Sequence, residues 1–438
     1  MTQEKSVRGN MVPAGGATAT AEATQAQALL PDTFTLQRMS EIFMAASEQN
    51  CIKLNTVNLP TGQQTGFIIN NVGLGESLDL LITGSIELDA TTEASANIAI
   101  DVSPDFPFNI LSQINVQFNG QTVLASLSGY ELLGVMAKRY KDVFKNTGAS
   151  AGNIFNQNLA RVDRTIAWIT ADDENASLTT GNTLTGISKI TVTKGKKTGV
   201  KFGMYLELPF VLRRDLLFGL IPMQNNSVYA TVQMTVPNII GTTPLTPLSI
   251  AAIPATLKVT PEINCQPTYN FWSIPVPNDR RLYQYLVSHS YMLLSQGNNV
   301  LSQSGIESMQ YTMPNNYYLL GLLLTIRDSN KALVDCYSKL DNPYLSYNGT
   351  VRVDRRDMAT RTARQIVNGE GIVSPLGQIL WDATDVTYLP NGTNTTKWLN
   401  MYQANNPQFI ADVAATVGVP GSYAVLREQL VPANVTVI

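Results

Sequence analysis

The chain has 438 residues, and at this length one hydrophobic core usually gives way to two domains. Apolar residues make up 44% of the chain, which excludes a wholly disordered protein. Charged residues make up only 14%, against about 25% in an ordinary soluble domain, while Asn (36) and Thr (43) are abundant. The formal net charge of −3 excludes a globally cationic nucleic-acid binder but leaves a local basic patch open.

The N-terminal 30 residues are rich in Ala, Thr and Gly and predict an extended arm, because small side chains bury little surface. Lys5 and Arg8 are its positive charges, and no apolar run follows them, so we expect no signal peptide. A short amphipathic helix is predicted over 33–48, where Leu36, Met39 and Phe43 recur at helical spacing.

Short β-prone runs follow, at 65–72, 78–88, 97–102, 189–193, 200–212, 228–236 and 255–263. Asn119-Gly120 lies between alternating apolar residues and predicts a tight β-hairpin. Ser128 and Glu131 have the spacing of a capping box and predict a helix at about 129–145. The polar residues 149–187 form a stretch that is long for a loop inside a compact domain and predict an elaborated surface excursion.

The second half repeats this order, with strands predicted at 280–294, 317–328, 332–340 and 376–389 and in the C-terminal segment. A helix is predicted at about 355–367. Three prolines at 264–278 predict a linker between two domains. The predicted organisation is therefore an arm and short helix (1–50), a first domain (51–263), the linker (264–278) and a second domain (279–438).

Candidate catalytic groups are few. The only histidine, His289, alternates within a predicted strand, so a place in a core or an interface is favoured over a role as a catalytic base. Neither Asp172-Asp173-Glu174 nor the Asp382/Asp385 pair has a motif that would make it a glycosidase site. No dinucleotide, P-loop, zinc-protease or EF-hand motif occurs. We therefore predict a non-enzymatic protein without catalytic, cofactor-binding or metal-binding residues.

Two basic clusters are candidates for nucleic-acid binding, and three cysteines are candidates for a zinc site or a disulfide. The clusters are a predicted lysine-rich turn (Lys194, Lys196, Lys197 and Lys201) and a mixed-charge segment (Arg352, Arg355, Arg356, Arg361 and Arg364, with Asp354 and Asp357). A solubilised turn and ion pairs explain them better than nucleic-acid binding does, and no aromatic residues interleave with them. Cys51, Cys265 and Cys336 lie far apart and predict neither a zinc site nor a complete disulfide framework.

Several stretches resemble the double jelly-roll major capsid proteins of tectivirus-type bacteriophages, the lineage shared with adenovirus hexon. The resemblance rests on element order and on four stretches: DFPFNILSQINVQFNGQTVLASLSGYELLGVM (105–136), MYLELPFVLRRDLLFGLIPMQNNSVYATVQMTV (204–236), MATRTARQIV (358–367) and SYAVLREQLV (422–431). The resemblance covers most of residues 50–438, and the first 50 residues of the chain differ most from the family.

The resemblance implies an all-β fold of two eight-stranded jelly-roll β-sandwiches side by side, each with a flanking helix. It also implies homotrimeric, pseudo-hexagonal capsomers in an icosahedral shell around an internal membrane and double-stranded DNA. The implied partners are further copies of the chain, vertex and minor capsid proteins, and lipid beneath the N-terminal arm. The implied location is the virion, with assembly in the host cytoplasm.

Two other function classes fit a jelly roll. A carbohydrate-active enzyme needs carboxylates in a cleft with aromatic platforms, for which Trp168, Trp272, Trp381 and Trp398 are the candidates. A receptor-binding spike predicts a fibrous repeat or an attachment segment, and neither is visible in the sequence.

Overall fold

The computed structural model describes residues 33–93, 96–139, 166–181, 183–212, 216–224, 227–273, 284–351, 375–382 and 399–433. Three α-helices occur in these residues: α1 (Thr33–Ala46), α2 (Gly129–Arg139) and α3 (Cys336–Lys339). The helices predicted at 33–48 and 129–145 are confirmed within the described residues. The helix predicted at 355–367 lies outside them, as do the arm and Trp398.

The described chain up to Ser273 contributes sixteen strands. They are β1 (Glu48–Lys53), β2 (Val57–Asn58), β3 (Gln64–Ile69), β4 (Leu74–Asp89), β5 (Ile98–Val102), β6 (Gln113–Phe118), β7 (Thr122–Leu127), β8 (Ala167–Ala171), β9 (Ala176–Thr180), β10 (Ile187–Val192), β11 (Lys197–Pro209), β12 (Ile221–Pro222), β13 (Ala230–Thr235), β14 (Ile240–Gly241), β15 (Leu248–Ser249) and β16 (Lys258–Ser273).

The described chain from residue 284 onward contributes nine more strands. They are β17 (His289–Leu301), β18 (Gly305–Thr312), β19 (Tyr318–Arg327), β20 (Leu340–Tyr347), β21 (Thr350–Val351), β22 (Gln378–Asp382), β23 (Leu399–Asn400), β24 (Gln408–Val413) and β25 (Gly421–Pro432).

These strands form four sheets. The first outer sheet has the order β1-β16-β4-β11-β8, and a side sheet has the order β14-β15-β5-β10-β9. The shared sheet runs β22-β19-β25-β17-β7-β6-β13-β3, and the second outer sheet runs β18-β24-β20-β21. The protein is therefore all-β and built of jelly-roll sandwiches, as the resemblance to double jelly-roll capsid proteins implies. The second sandwich has four strands in each main layer, and the first carries the side sheet in addition.

Two hydrophobic cores lie between these layers. The first core joins inward residues of the first outer sheet, such as Leu80 and Ile82, to Val116 and Val232 of the shared sheet. The second core lies between the shared sheet and the second outer sheet, where Trp381 packs edge-on against Phe409. In both, alternate residues of each strand point inward, which is the period-two pattern of a half-buried strand.

The two sandwiches are joined within the shared sheet. β17 pairs with β7 in parallel, with Leu293 opposite Ala125 and Leu294 opposite Ser126. Both halves of the chain therefore contribute to one continuous hydrogen-bonded layer.

The predicted hairpin is confirmed. β6 and β7 pair antiparallel, with Phe118 opposite Thr122. Asn119 and Gly120 both adopt positive φ angles, 50° and 66°, as a type I′ turn requires. Glycine and asparagine reach this conformation most readily, which is why the dipeptide predicts the turn.

Two predicted loops are strands. Residues 264–273 are not a linker but the end of β16, where burial alternates residue by residue despite Pro267. Residues 274–278 lie outside the described residues. The excursion predicted over 149–187 contains two strands that the sequence analysis did not predict, because β8 pairs with β11 and β9 pairs with β10. Its polar composition hid the alternation of buried Ala167 and Ile169.

Three element boundaries also differ from the predictions. In place of the strand predicted at 332–340, the structure has the short helix α3 at Cys336–Lys339, and Leu340 begins β20. The strand predicted from 280 begins at His289. β1 begins at Glu48, so the helix and arm end before residue 50.

Candidate functional site

Helix α2 lies where the two sandwiches meet, and its N-terminus has the predicted capping box. The Ser128 backbone N–H donates to Glu131 Oε2 at 2.8 Å, and the Glu131 N–H donates to Ser128 Oγ at 3.2 Å. Ser295 Oγ, from β17 of the second half, also donates to Glu131. Burial raises the pKa of Glu131, while these hydrogen bonds to the carboxylate partly offset the shift. The cap thus links the helix to the second half of the chain.

The C-terminal end of α2 is held by charged groups. Lys138 forms an ion pair with Glu428 of β25, which also accepts a hydrogen bond from Tyr291 of β17. Burial, and then the charge of Glu428, raises the pKa of Tyr291 well above its ordinary value, so the phenol stays a donor. Arg139 Nη1 donates to the carbonyls of Val211 and Leu212 at 2.7 and 2.8 Å. The helix therefore contacts both sandwiches through these two cations.

The middle of α2 packs closely on β19 and β22. Gln378 Nε2 donates to the carbonyl of Tyr130 at 2.8 Å, and Tyr130 Oη donates to the carbonyl of Leu376 at 2.5 Å. A Cβ placed on Gly134 would lie 2.6 Å from Leu323 Cδ2, so only glycine fits there without displacement. The close approach fixes the distance between helix and sheet.

A second charged link lies away from the helix. Arg327 Nη2 of β19 donates to Asp105 Oδ2 of the first half at 2.6 Å. Asp105 is fully buried and also accepts from Ser103 Oγ and from Asn109 Nδ2. We call the residues of these two links, with α2, the junction. Its carboxylates are buried and its cations half-buried, and the two links connect parts of the chain more than 200 residues apart.

His289 has no arrangement suited to a catalytic base. Its side chain is buried beside the rings of Phe218 and Tyr318, and Nδ1 lies 3.0 Å from Ser288 Oγ. Burial lowers the pKa of His289 to about 4, so the imidazole is neutral at pH 7. The sequence expectation of a core histidine agrees with this position.

The acidic and lysine-rich segments lie near one another on the first sandwich. Asp172 pairs with Lys201 at 2.7 Å, and Lys197 pairs with Glu87 at 2.8 Å. Asp173 accepts hydrogen bonds from Thr198 Oγ1 and from the Asn175 N–H, and these bonds lower its pKa. The segments therefore stabilise a turn region, and Lys197 and Lys201 belong to exposed ion pairs with carboxylates.

The three tryptophans among the described residues do not form an aromatic cleft. Trp272 is buried and donates from Nε1 to Glu76 Oε2 at 2.8 Å, and Trp381 lies in the second core. Trp168 is 37% exposed and lies over Gly203 on the outer face of the first outer sheet. Asp385 and the arginine segment 352–364 lie outside the described residues.

No group of three or more potential metal ligands occurs within the described ranges. Cys51 is exposed, whereas burial raises the pKa of Cys265 and of Cys336 to about 12, so both are thiols. No helix among the described residues has the length and apolarity needed to cross a membrane.

The sequence analysis missed the junction residues. Asp105 is a single charge between proline and phenylalanine residues, and that placement was an available signal. Lys138, Arg327 and Glu428 each adjoin another charged residue, so nothing local distinguishes them. Which cation meets which carboxylate depends on tertiary contacts that no local pattern encodes.

No protein-family model matches the chain, and no curated protein matches it by sequence. Solved structures do match. The crystal structure of the major capsid protein of STIV aligns with a TM-score of 0.55 and 11% identity, covering 89% of this chain and 100% of that one. The atomic structure of Sulfolobus Turreted Icosahedral Virus aligns with a TM-score of 0.50 and 11% identity, covering 88% of this chain and 91% of that one.

The Faustovirus major capsid protein gives a TM-score of 0.50 and 10% identity, covering 88% of this chain and 90% of that one. At such low identity the likeness concerns the fold. The chain has the double jelly-roll fold of these proteins over nearly its whole length.

Proposed function

We propose that the chain is the major capsid protein of a virus. The observation that carries this proposal is the structural match, which spans 89% of this chain and all of the STIV protein. Because the match includes both sandwiches, it supports a role that uses the pair of them. The division into two domains, with the boundary after the end of β16 at Ser273, belongs to the proposal.

The proposed assembly unit is a homotrimer. Two similar sandwiches in each chain give a pseudo-hexagonal outline when three chains close a ring, and closed cyclic symmetry is the usual solution for such assemblies. The junction supports a rigid tile, because buried ion pairs and a continuous sheet fix one sandwich relative to the other. Surfaces rich in Asn and Thr can pack together while few charges lose their water.

The proposed shell is icosahedral and encloses an internal membrane and double-stranded DNA, with vertex and minor capsid proteins as further partners. The location is the virion, after assembly in the host cytoplasm. The proposal includes no catalytic step, cofactor or metal and no sequence-specific binding of nucleic acid.

The N-terminal arm, residues 1–30, is proposed to lie at the inner face of the shell. Lys5 and Arg8 would each contribute only about 1 kcal/mol near an anionic membrane, so protein contacts must hold the arm. Limited proteolysis tests this: cleavage before Gln49 should be rapid in free trimers and slow in particles. Equal rates in both would refute the assembly role of the arm.

Negative-stain electron microscopy of the purified protein tests the function itself. The proposal predicts flat tiles with a pseudo-hexagonal outline. Elongated fibrous particles would support a receptor-binding spike instead. Single globular particles that hydrolyse an oligosaccharide would support a carbohydrate-active enzyme.

A further inference from the structure

Arg427 points into the second sandwich, whose core is otherwise apolar. Tyr423, Val425 and Arg427 alternate along β25 and share one face, and the first two belong to the second core. The Arg427 guanidinium carbon lies 5.7 Å from the centre of the Tyr317 ring, which packs in the same core. A cation is therefore held among aromatic and aliphatic side chains.

This cation lacks a counter-ion in the part of the chain that the structure describes. Its Nε and Nη1 atoms are buried and have no hydrogen-bond partner, and the ion pairs of the described residues do not include it. The Tyr311 hydroxyl is also buried without a partner, and the Tyr317 hydroxyl interacts only with Arg427 itself among the described residues. Arg427 as a residue is half-buried, but these two donors are out of contact with water, and each unsatisfied buried donor is unfavourable.

All three groups present hydrogen-bond donors. Burial raises the pKa of Tyr311 and raises that of Tyr317 to about 12, and the charge of Arg427 opposes both shifts. Because the charge of Arg427 acts on both phenols, the guanidinium and the two hydroxyl groups lie close together in one cluster. Both phenols keep their protons at neutral pH, so an occupant of the cluster must accept hydrogen bonds.

We propose that Arg427, Tyr311 and Tyr317 form a binding site for a small monovalent inorganic anion of the chloride class inside the second sandwich. One negative charge balances the guanidinium, whereas a divalent oxyanion would leave surplus negative charge buried. Ordered water would satisfy the donors but would leave the positive charge unbalanced. The inference is independent of the capsid role, because it concerns the stability of the folded chain.

Thermal unfolding in sodium chloride and in sodium gluconate at equal ionic strength tests the site, since gluconate is too large to enter a core. A ligand that binds only the folded state stabilises it in proportion to the logarithm of its concentration. The unfolding temperature of the wild-type protein should therefore rise with chloride when chloride replaces gluconate. An equal unfolding temperature in both salts would overturn the proposal.

Variants locate the effect. Arg427→Met keeps an unbranched stem without the charge and should abolish the chloride dependence, and Tyr317→Phe should weaken it by removing one donor. Lys53→Met, which removes an exposed cation from β1, is the matched control and should keep the full dependence. Chloride dependence that persists in Arg427→Met would contradict the assignment.

Bromide gives a direct readout that does not depend on stability. In crystals grown with sodium bromide, an anomalous-scattering peak should lie within hydrogen-bond distance of Arg427 Nε or Nη1. Peaks confined to the protein surface would mean an adventitious ion only and would reject the site.

Discussion

The ion pairs of the junction and those of the lysine-bearing turn have the same chemistry in different surroundings. In the junction, the side chains of Lys138 and Glu428 are 19% and 9% exposed, and those of Arg327 and Asp105 are 16% and 0% exposed. In the turn region, the side chains of Lys201 and Asp172 are 59% and 32% exposed. Water solvates the second kind of pair whether or not it forms, but it cannot replace a lost partner in the first.

In a protein with few charged residues, the ion pairs of the two regions therefore have different effects on stability. Exposed pairs contribute little to stability and keep a turn soluble. Buried pairs make one geometry of the two sandwiches strongly preferred, because any other geometry would separate a charge from its partner inside the protein.

The largest effect is expected for Glu428→Gln. The substitution removes the carboxylate from Lys138 and from the Tyr291 hydroxyl, and breaking a buried pair typically costs about 3–5 kcal/mol. The free energy of unfolding from guanidinium titration should fall by about that amount.

A double variant separates the charge from packing. Glu428→Gln combined with Lys138→Met removes both charges and keeps an acceptor for the Tyr291 hydroxyl, so it should recover most of the stability lost in Glu428→Gln alone. A double variant as unstable as Glu428→Gln would show that the pair itself is not the cause.

An intermediate effect is expected from His289 on acidification. The pKa of His289 is about 4 in the folded state, below the ordinary value of about 6.5, so the unfolded chain binds the proton more readily. Its contribution to stability is complete above pH 6.5 and is lost between pH 6.5 and 4, at about 1.4 kcal/mol per pH unit at most.

His289→Leu has no titrating group at this position. The difference in unfolding free energy between His289→Leu and the wild type should therefore be constant above pH 6.5 and shift in favour of the variant below it. Parallel pH profiles for the two proteins would contradict the buried neutral imidazole.

The smallest effect is expected for Lys201→Ala. The exposed pair with Asp172 is screened by salt and solvated by water, so the unfolding temperature should change by little more than the measurement error. A loss as large as that of Glu428→Gln would remove the contrast between the two regions.

Local sequence signals predicted the elements that depend on local geometry. Asn119-Gly120 predicted the turn because both residues tolerate positive φ, and Ser128 with Glu131 predicted the start of α2 because a capping box spans only four residues. Strand alternation predicted most of the first outer and shared sheets.

Tertiary structure decided the rest. Polar residues around Ala167 and Ile169 concealed β8, whose burial depends on pairing with β11. Pro267 predicted a break in the chain, but it does not interrupt β16, and the pattern of buried Cys265, Tyr269 and Phe271 continues through it. The Asp105–Arg327 pair joins residues 222 positions apart, which no local pattern can indicate.

The mass of the purified protein in solution tests the central claim, that three copies of this two-sandwich chain form one tile. Multi-angle light scattering over a wide range of concentrations should give three times the chain mass, with little dependence on concentration. A mass of one or two chains throughout that range would contradict the account.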